Sequence, residues 1–80
     1  MNISSIKNAT ENFSIDELKQ AELDLLDEKP LLIQIEGKDE GEQLTHILAA
    51  IYCKEVMEKE GINLNQAVRQ YSVKVRQSIS

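Results

Sequence analysis

The chain has 80 residues, a net charge of −5 and a single cysteine, which together exclude a multidomain protein and a fold held by intrachain disulfides. Its charge is segregated: residues 1–60 carry six lysines against fourteen acids, a balance of −8, whereas residues 61–80 carry three cations and no acid, a balance of +3. The acidic body disfavours binding to nucleic acids and to anionic membrane surfaces.

The whole chain, residues 1–80, is expected to form one helical domain. Its 23 Ile, Leu, Val and Phe residues supply a core, but a chain of this size usually needs a staple, very regular helix packing or a partner subunit. No signal-peptide pattern follows the first residue, and no apolar run approaches the roughly 18 residues of a membrane span. Cys53 lies in an apolar run and is interpreted as a buried, inert thiol. We therefore expect a cytoplasmic protein without a cofactor.

The first two predicted helices differ in the strength of their signals. Residues 3–10 place apolar side chains on one face but contain many poor helix formers, which predicts a weak helix, with a strand as the alternative. Residues 14–28 begin with a capping box, because Ser14 and Glu17 can each accept a hydrogen bond from an unpaired backbone N–H group. Pro30 is expected to end this helix, since proline disfavours the helical conformation of the residue before it.

Residues 31–36 alternate inward apolar and outward side chains in the period of a β-strand, and they are the one extended segment that we predict. A lone strand leaves its backbone hydrogen-bonding groups unpaired. The same segment of a second copy, antiparallel across a two-fold axis, would pair them, so we predict a homo-oligomer and favour a dimer. The alternative is an extended loop whose backbone is solvated. The residues expected to form the contact are Leu31, Leu32, Ile33, Gln34 and Ile35.

Residues 40–60 and 63–78 predict a third and a fourth helix that pack antiparallel. The third begins with a second capping-box pattern, Asp39 with Glu42, and is apolar almost all round between residues 47 and 53, which predicts a central position. Gly61 suits the left-handed residue that ends it. The side chains expected to be among the most buried are Leu44, Leu48, Ile51, Val68, Tyr71 and Val75.

Carboxylates and a histidine are concentrated before and within the start of the third helix. They are Glu36, Asp39, Glu40, Glu42 and His46. Carboxylate oxygens suit hard cations, so a metal-dependent or catalytic activity centred on this acidic turn is one hypothesis. The pattern has neither the alternating acids of a calcium loop nor a second histidine for zinc. We favour a solvated acidic turn in which the histidine bonds Glu42, with no catalytic or metal-binding residue.

The fourth helix offers a second alternative, a helix-turn-helix in which residues 63–76 read DNA through Asn65, Gln66, Arg69 and Gln70. Only three cations serve this helix, and the acidic body repels phosphates, so we favour an αα-hairpin. The function predicted from the sequence is therefore that of a small, non-enzymatic, self-associating interaction or accessory protein. Another protein is a possible partner, whereas a membrane is not expected.

The string from Glu36 to His46, Glu-Gly-Lys-Asp-Glu-Gly-Glu-Gln-Leu-Thr-His, together with residues 75–80, resembles a family of short bacterial proteins of unknown function. The resemblance extends over nearly the whole chain. It implies a stand-alone bacterial protein of this length, and it attaches no activity, ligand or catalytic residue to the chain.

Overall fold

The computed structural model describes residues 2–79 and the side chains of residues 2–77. The described residues form four α-helices. They are α1 (Ile3–Asn12), α2 (Ile15–Leu26), α3 (Glu40–Glu60) and α4 (Leu64–Ile79). The mainly helical class is as predicted, and α3 has the predicted bounds. No strand occurs among the described residues, and residues 31–36, predicted as an extended or β segment, have no regular secondary structure within the single chain.

The starts of α2 and α4 are set by reciprocal pairs of side chains. The Ser14 hydroxyl accepts from the Glu17 N–H at 3.1 Å, and the Glu17 carboxylate accepts from the Ser14 N–H at 2.9 Å. Asn63 and Gln66 make the same two contacts, at 2.9 and 3.1 Å. Each pair satisfies two N–H groups that a helix start leaves without partners, which confirms the predicted capping box of α2.

The α3 helix starts and ends where predicted, but its predicted capping box is only half formed. Asp39 accepts from the Glu42 N–H at 2.8 Å, but the Glu42 carboxylate accepts from the Lys38 N–H at 3.2 Å and not from Asp39. The side chain thus reaches one residue further back along the chain than a capping box requires. Gly61 ends the helix with a left-handed φ of 67°, a conformation that glycine adopts at little cost.

The α2 helix ends at Leu26, two residues earlier than predicted, so the chain has left the helix before it reaches Pro30. Glu28 has a left-handed φ of 60°. Its N–H bonds the Leu25 carbonyl at 3.1 Å, and the N–H of the next residue bonds the Asp24 carbonyl at 2.7 Å. These two bonds are those of a Schellman motif, which normally uses glycine. A glutamate in this position gave no sequence signal for the end of the helix.

The predicted weak helix, α1, is a full member of the core. Ile6 is completely buried and Ala9 nearly so. The side chain of Asn2 caps the helix start, and the hydroxyl of buried Thr10 donates to the Ile6 carbonyl at 2.7 Å. Most of the stability of a helix in a protein comes from packing of its apolar face. Packing therefore overrides the low helix propensity of the serines, asparagines and threonine in this segment.

The core consists of two clusters, and α3 contributes to both of them. The first cluster lies where α2 and residues 31–35 meet α3, and it comprises Ala9, Leu18, Ala21, Ile35, Ile47, Ala50 and Ile51. The second lies where α1 and α4 meet α3, and it comprises Ile6, Ala49, Cys53, Val56, Ala67 and Val68. The α3 helix contacts α1, α2 and α4. Its predicted central position is therefore confirmed.

The predicted core list is right in part. Ile51 and Val68 are buried, whereas Leu44, Tyr71 and Val75 are half-buried. Leu48 is 41% exposed, so its predicted burial is wrong. It lies seven residues, two helical turns, before exposed Glu55, on the side of α3 that no other helix covers. The apolar run showed that α3 is central but not which of its sides stays open.

Candidate functional site

The segment of residues 31–36 covers the first core cluster without forming regular secondary structure. Its side chains alternate in burial as the sequence predicts. Leu31 and Ile33 are half-buried against the cluster and Ile35 is 5% exposed, whereas Leu32 is 85% exposed and Gln34 is also exposed. The inward side chains therefore anchor the segment, and its other side faces solvent.

Side chains of α3 bond the backbone at the end of this segment, where a paired strand would otherwise do so. The Gln43 amide donates to the Ile35 carbonyl at 3.0 Å, and the His46 ring N–H donates to the Glu36 carbonyl at 2.7 Å. These contacts satisfy two carbonyls near the core without a second strand. Among the described residues, no backbone–backbone hydrogen bond involves residues 31–34.

His46 is buried, and both nitrogens of its ring are used. Its Nε2 accepts from the Asn2 backbone N–H at 3.1 Å, and its Nδ1 lies 2.7 Å from the Glu36 carbonyl. An amide N–H can only donate and a carbonyl can only accept, so the proton lies on Nδ1 of a neutral ring. His46 thereby joins α1, the extended segment and α3. The expected bond to Glu42 is wrong, because the ring points into the core and not along the helix surface.

The side chain of Glu36 fastens the extended segment to α1. Its carboxylate accepts from the Asn8 amide at 2.9 Å and from the Ser5 hydroxyl at 3.0 Å. These two hydrogen bonds, Asn8 first, lower the pKa of Glu36 against the opposing effect of desolvation. Glu36 is thus an ionised group with a structural role at the contact between the segment and α1.

The five candidate metal ligands do not converge on one point. Asp39 caps α3, Glu42 bonds the Lys38 N–H, and Glu36 bonds α1. His46 points into the core, while Glu40 is exposed. Within residues 2–79, no group of three or more His, Cys, Asp or Glu side chains could hold a metal ion. Four of the five candidates are used instead by the local structure of the α3 start and the preceding segment.

Cys53 is buried in the second cluster, and burial raises the pKa of its thiol to about 11. The thiolate is the reactive form of cysteine, so this environment suppresses nucleophilic chemistry near neutral pH. Desolvation also raises the pKa of Tyr71, as does the proximity of Cys53. None of the described helices has the length and apolar character needed to cross a membrane.

Two of the four polar residues considered for DNA reading bond to the protein itself. Gln66 belongs to the cap at the start of α4, and the Gln70 amide donates to the Glu60 carboxylate at 3.1 Å. Asn65 and Arg69 are exposed. The αα-hairpin interpretation explains Gln70 directly, because its bond links α4 to the end of α3.

The sequence did not point to two residues that bond this segment and His46. The Gln43 amide donates to the Ile35 carbonyl, and the Asn2 N–H donates to the His46 ring. Gln43 is an ordinary polar residue of an amphipathic helix, and Asn2 acts partly through its backbone N–H. Neither residue carries a sequence signal, because the partner of each lies on another part of the chain.

Comparison with known proteins gives a family and no activity. The profile of the family of unknown function DUF6952 matches residues 1–80. No curated protein and no solved structure is significantly similar to this chain. The match confirms the resemblance to a family of unknown function and brings no evidence of a catalytic or DNA-binding role. The chain therefore belongs to the DUF6952 family.

Proposed function

We propose that this protein is a non-enzymatic interaction protein that self-associates through residues 31–36. The observation that carries the proposal is Leu32, which is 85% exposed in a segment without regular secondary structure. The backbone bends at residues 32 and 33, and among the described residues it makes no backbone–backbone hydrogen bond over 31–34, so its N–H and C=O groups can pair with another chain once the segment straightens. The occupant that we propose is the same segment of a second copy, antiparallel across a two-fold axis.

The anchored side chains restrict the register of this pairing. Directly opposite residues of an antiparallel pair project to the same face, so the inward residues of the two copies must oppose each other. A two-fold axis at Ile33 sets Ile33 opposite its own copy and Leu31 opposite Ile35, so all three inward side chains pair with inward side chains of the segment. An axis at Leu32 instead sets Ile35 opposite Lys29, which lies outside the segment. We therefore propose the register centred on Ile33.

Exposed apolar side chains are concentrated in this part of the chain, which supports the same contact. Three of the six large exposed apolar side chains among residues 2–77 are Leu23, Leu26 and Leu32, which fall within ten residues. A chain of 80 residues has a small core, and a second copy on this side would add to it. The unpaired cysteine is compatible with a reducing compartment, so a cytoplasmic location is part of the proposal.

Sedimentation velocity between about 1 and 100 μM tests the proposal, a range that detects micromolar dissociation constants. We expect a dimer that Leu32→Glu converts to a monomer, because the charge lies in the centre of the contact. The matched control is Val73→Glu, which changes another exposed apolar residue on α4 and should remain dimeric. Circular dichroism should show that both variants keep the helical fold.

Two results would contradict the proposal at different levels. A strict monomer throughout this range would end the idea of self-association. A dimer that survives Leu32→Glu would keep self-association but discard residues 31–36 as the contact.

A further inference from the structure

A groove between α3 and α4 combines apolar and cationic side chains that the proposed self-association does not use. It is a shallow, open groove of about 570 Å³, and its lining includes Tyr52, Ile62, Gln66, Arg69, Val73 and Lys74. The lining extends along α4 from Gln66 to Gln77, a span of twelve residues, or roughly 17 Å of helix. This length corresponds to about three turns of a helix lying alongside it.

The groove has the opposite charge to the body of the protein. Among the described lining residues two are cations and none is an acid, in a chain whose first 60 residues carry a balance of −8. The Glu60 carboxylate lies next to this lining, where it accepts from the Gln70 amide. The Lys74 ammonium lies 4.8 Å from the centre of the Tyr52 ring, and the Tyr52 and Tyr71 rings are 5.5 Å apart. A cation over an aromatic face is attracted to it, so this contact positions the Lys74 ammonium at the wall of the groove.

The remaining lining is apolar and accessible. Val73 is 45% exposed, and Ile62 and Tyr52 are half-buried. Gln66 and Gln70 also line the groove, but their side chains already bond Asn63 and Glu60 and do not contribute to the proposed contact. An apolar strip bordered by cations is complementary to a ligand that has a stripe of apolar groups flanked by acidic groups.

We propose that this groove docks an acidic amphipathic helix of a partner protein, with apolar side chains on Val73 and Ile62 and carboxylates near Arg69 and Lys74. Helix-in-groove recognition uses anchors at positions i, i+3 or i+4, and i+7, which a groove of this length accommodates. Nucleic acid fits less well, because phosphate contacts depend on many cations and the acidic body repels them.

Fluorescence anisotropy with a designed probe tests the proposal. The probe is a fluorescein-labelled 16-residue helical peptide with leucines at i, i+3 and i+7 and glutamates on both sides of them. We expect saturable binding to the full chain that weakens as salt is raised, since surface charges are screened. Two control peptides, with lysine in place of glutamate or serine in place of leucine, should bind at least tenfold more weakly.

Variants of equal charge locate the site. Lys74→Glu should weaken binding of the acidic probe at least tenfold, whereas Arg76→Glu should change it less than threefold. Arg76 does not line the groove but shares another cavity with Arg69 and with Ile3 and Lys7 on α1. Arg76→Glu therefore measures the general electrostatic effect of a negative charge near Arg69, and Lys74→Glu measures the effect within the groove. Val73→Ser tests the apolar strip without any change of charge, and it should also weaken binding.

Three outcomes would overturn the proposal: no binding of the acidic probe up to about 1 mM, equal effects of Lys74→Glu and Arg76→Glu, or tighter binding of a 16-base-pair DNA duplex than of the peptide. This test does not depend on whether the protein forms a dimer through residues 31–36. The monomeric Leu32→Glu variant should bind the probe as the unmodified chain does.

Discussion

The two core clusters on α3 are closed in different ways. Helices α1 and α4 close the second cluster, and the backbone of a helix satisfies its own hydrogen bonds. The first cluster is closed partly by residues 31–35, which have no regular structure and therefore need bonds from elsewhere. Gln43 and His46 on α3 supply them at Ile35 and Glu36. An extended segment can thus cover a core without a strand partner when a helix offers side chains at its edge.

The two clusters also differ in how far the chain that covers them is open to contact with a second copy. The second cluster contains Cys53, Ala49 and Ala67, all with no exposed surface. The segment over the first cluster has bonded carbonyls at Ile35 and Glu36, but no backbone–backbone bonds over residues 31–34. The part of this segment nearest Leu32 is therefore the part most suited to pairing with a second copy.

The largest effect is expected in the second cluster. Ile6→Ala should lower the free energy of unfolding by about 2–5 kcal/mol, because the side chain is fully buried in α1 and leaves a cavity. The control, Ile3→Ala, should cost much less, since Ile3 is 47% exposed on the same helix. Urea denaturation measures both. A loss below about 1 kcal/mol for Ile6→Ala would mean that α1 is the weak helix that its composition suggests.

A smaller but specific effect is expected at His46, which links the start of α1 and the segment of residues 31–36 to α3. His46→Ala removes the partner of the Asn2 N–H and of the Glu36 carbonyl, and an unsatisfied polar group costs about 1–3 kcal/mol. The Asn2 amide should then exchange its hydrogen faster in deuterated buffer, beyond what the loss of global stability explains. Thr45→Ala, which removes only a bond to the Gly41 carbonyl, should leave that amide unchanged.

The stability of the second cluster should fall at alkaline pH. Burial raises the pKa of the Cys53 thiol from about 9 to about 11, so the folded state holds this proton more tightly than the unfolded chain does. The resulting stabilisation is complete below pH 9 and is lost as pH rises towards 11. Chemical denaturation at several pH values should show a shallower decline for Cys53→Ala. Equal slopes in the two proteins would show that this thiol does not contribute.

The smallest losses of stability are expected at the starts of α2 and α4, and the two losses should be similar in size. Ser14→Ala should cost about 1 kcal/mol, because it removes the acceptor for the Glu17 N–H. Asn63→Ala should cost a similar amount at the start of α4. Thermal melts of both variants provide the comparison. A cost near zero for only one of them would show that tertiary packing, and not the cap, sets the start of that helix.

The helix boundaries illustrate how far local reasoning extends. Ser14, Gly61 and the bounds of α3 were predictable, because a cap is a relation between residues at most four apart in the chain. The end of α2 was not, because Glu28 adopts a left-handed conformation that favours glycine, at a cost of about 1–2 kcal/mol for other residues. Nothing in the local composition of residues 26–29 indicates that the surrounding structure supports this conformation.

The candidate site was predictable in its residues but not in their roles. The sequence singled out Glu36, Glu42 and His46, and all three are used in the structure. The two interpretations of these residues were a metal-binding cluster and a solvated acidic turn, of which the second was favoured. Their partners include Asn2, Ser5 and Asn8, at least 28 residues from Glu36 or His46 in the chain. Spacing along a sequence cannot show such pairings.

The sequence alone determined the mainly helical class, the central position of α3, the N-cap of α2, the glycine end of α3 and the inward alternation of residues 31–36, because periodicity and capping depend on near neighbours. Only the tertiary structure decided that α1 is part of the core, that Leu48 lies outside it and that residues 31–36 form no strand. Each of these depends on which surface another part of the chain covers. Burial and long-range hydrogen bonds are properties of pairs of segments, and a single segment does not contain them.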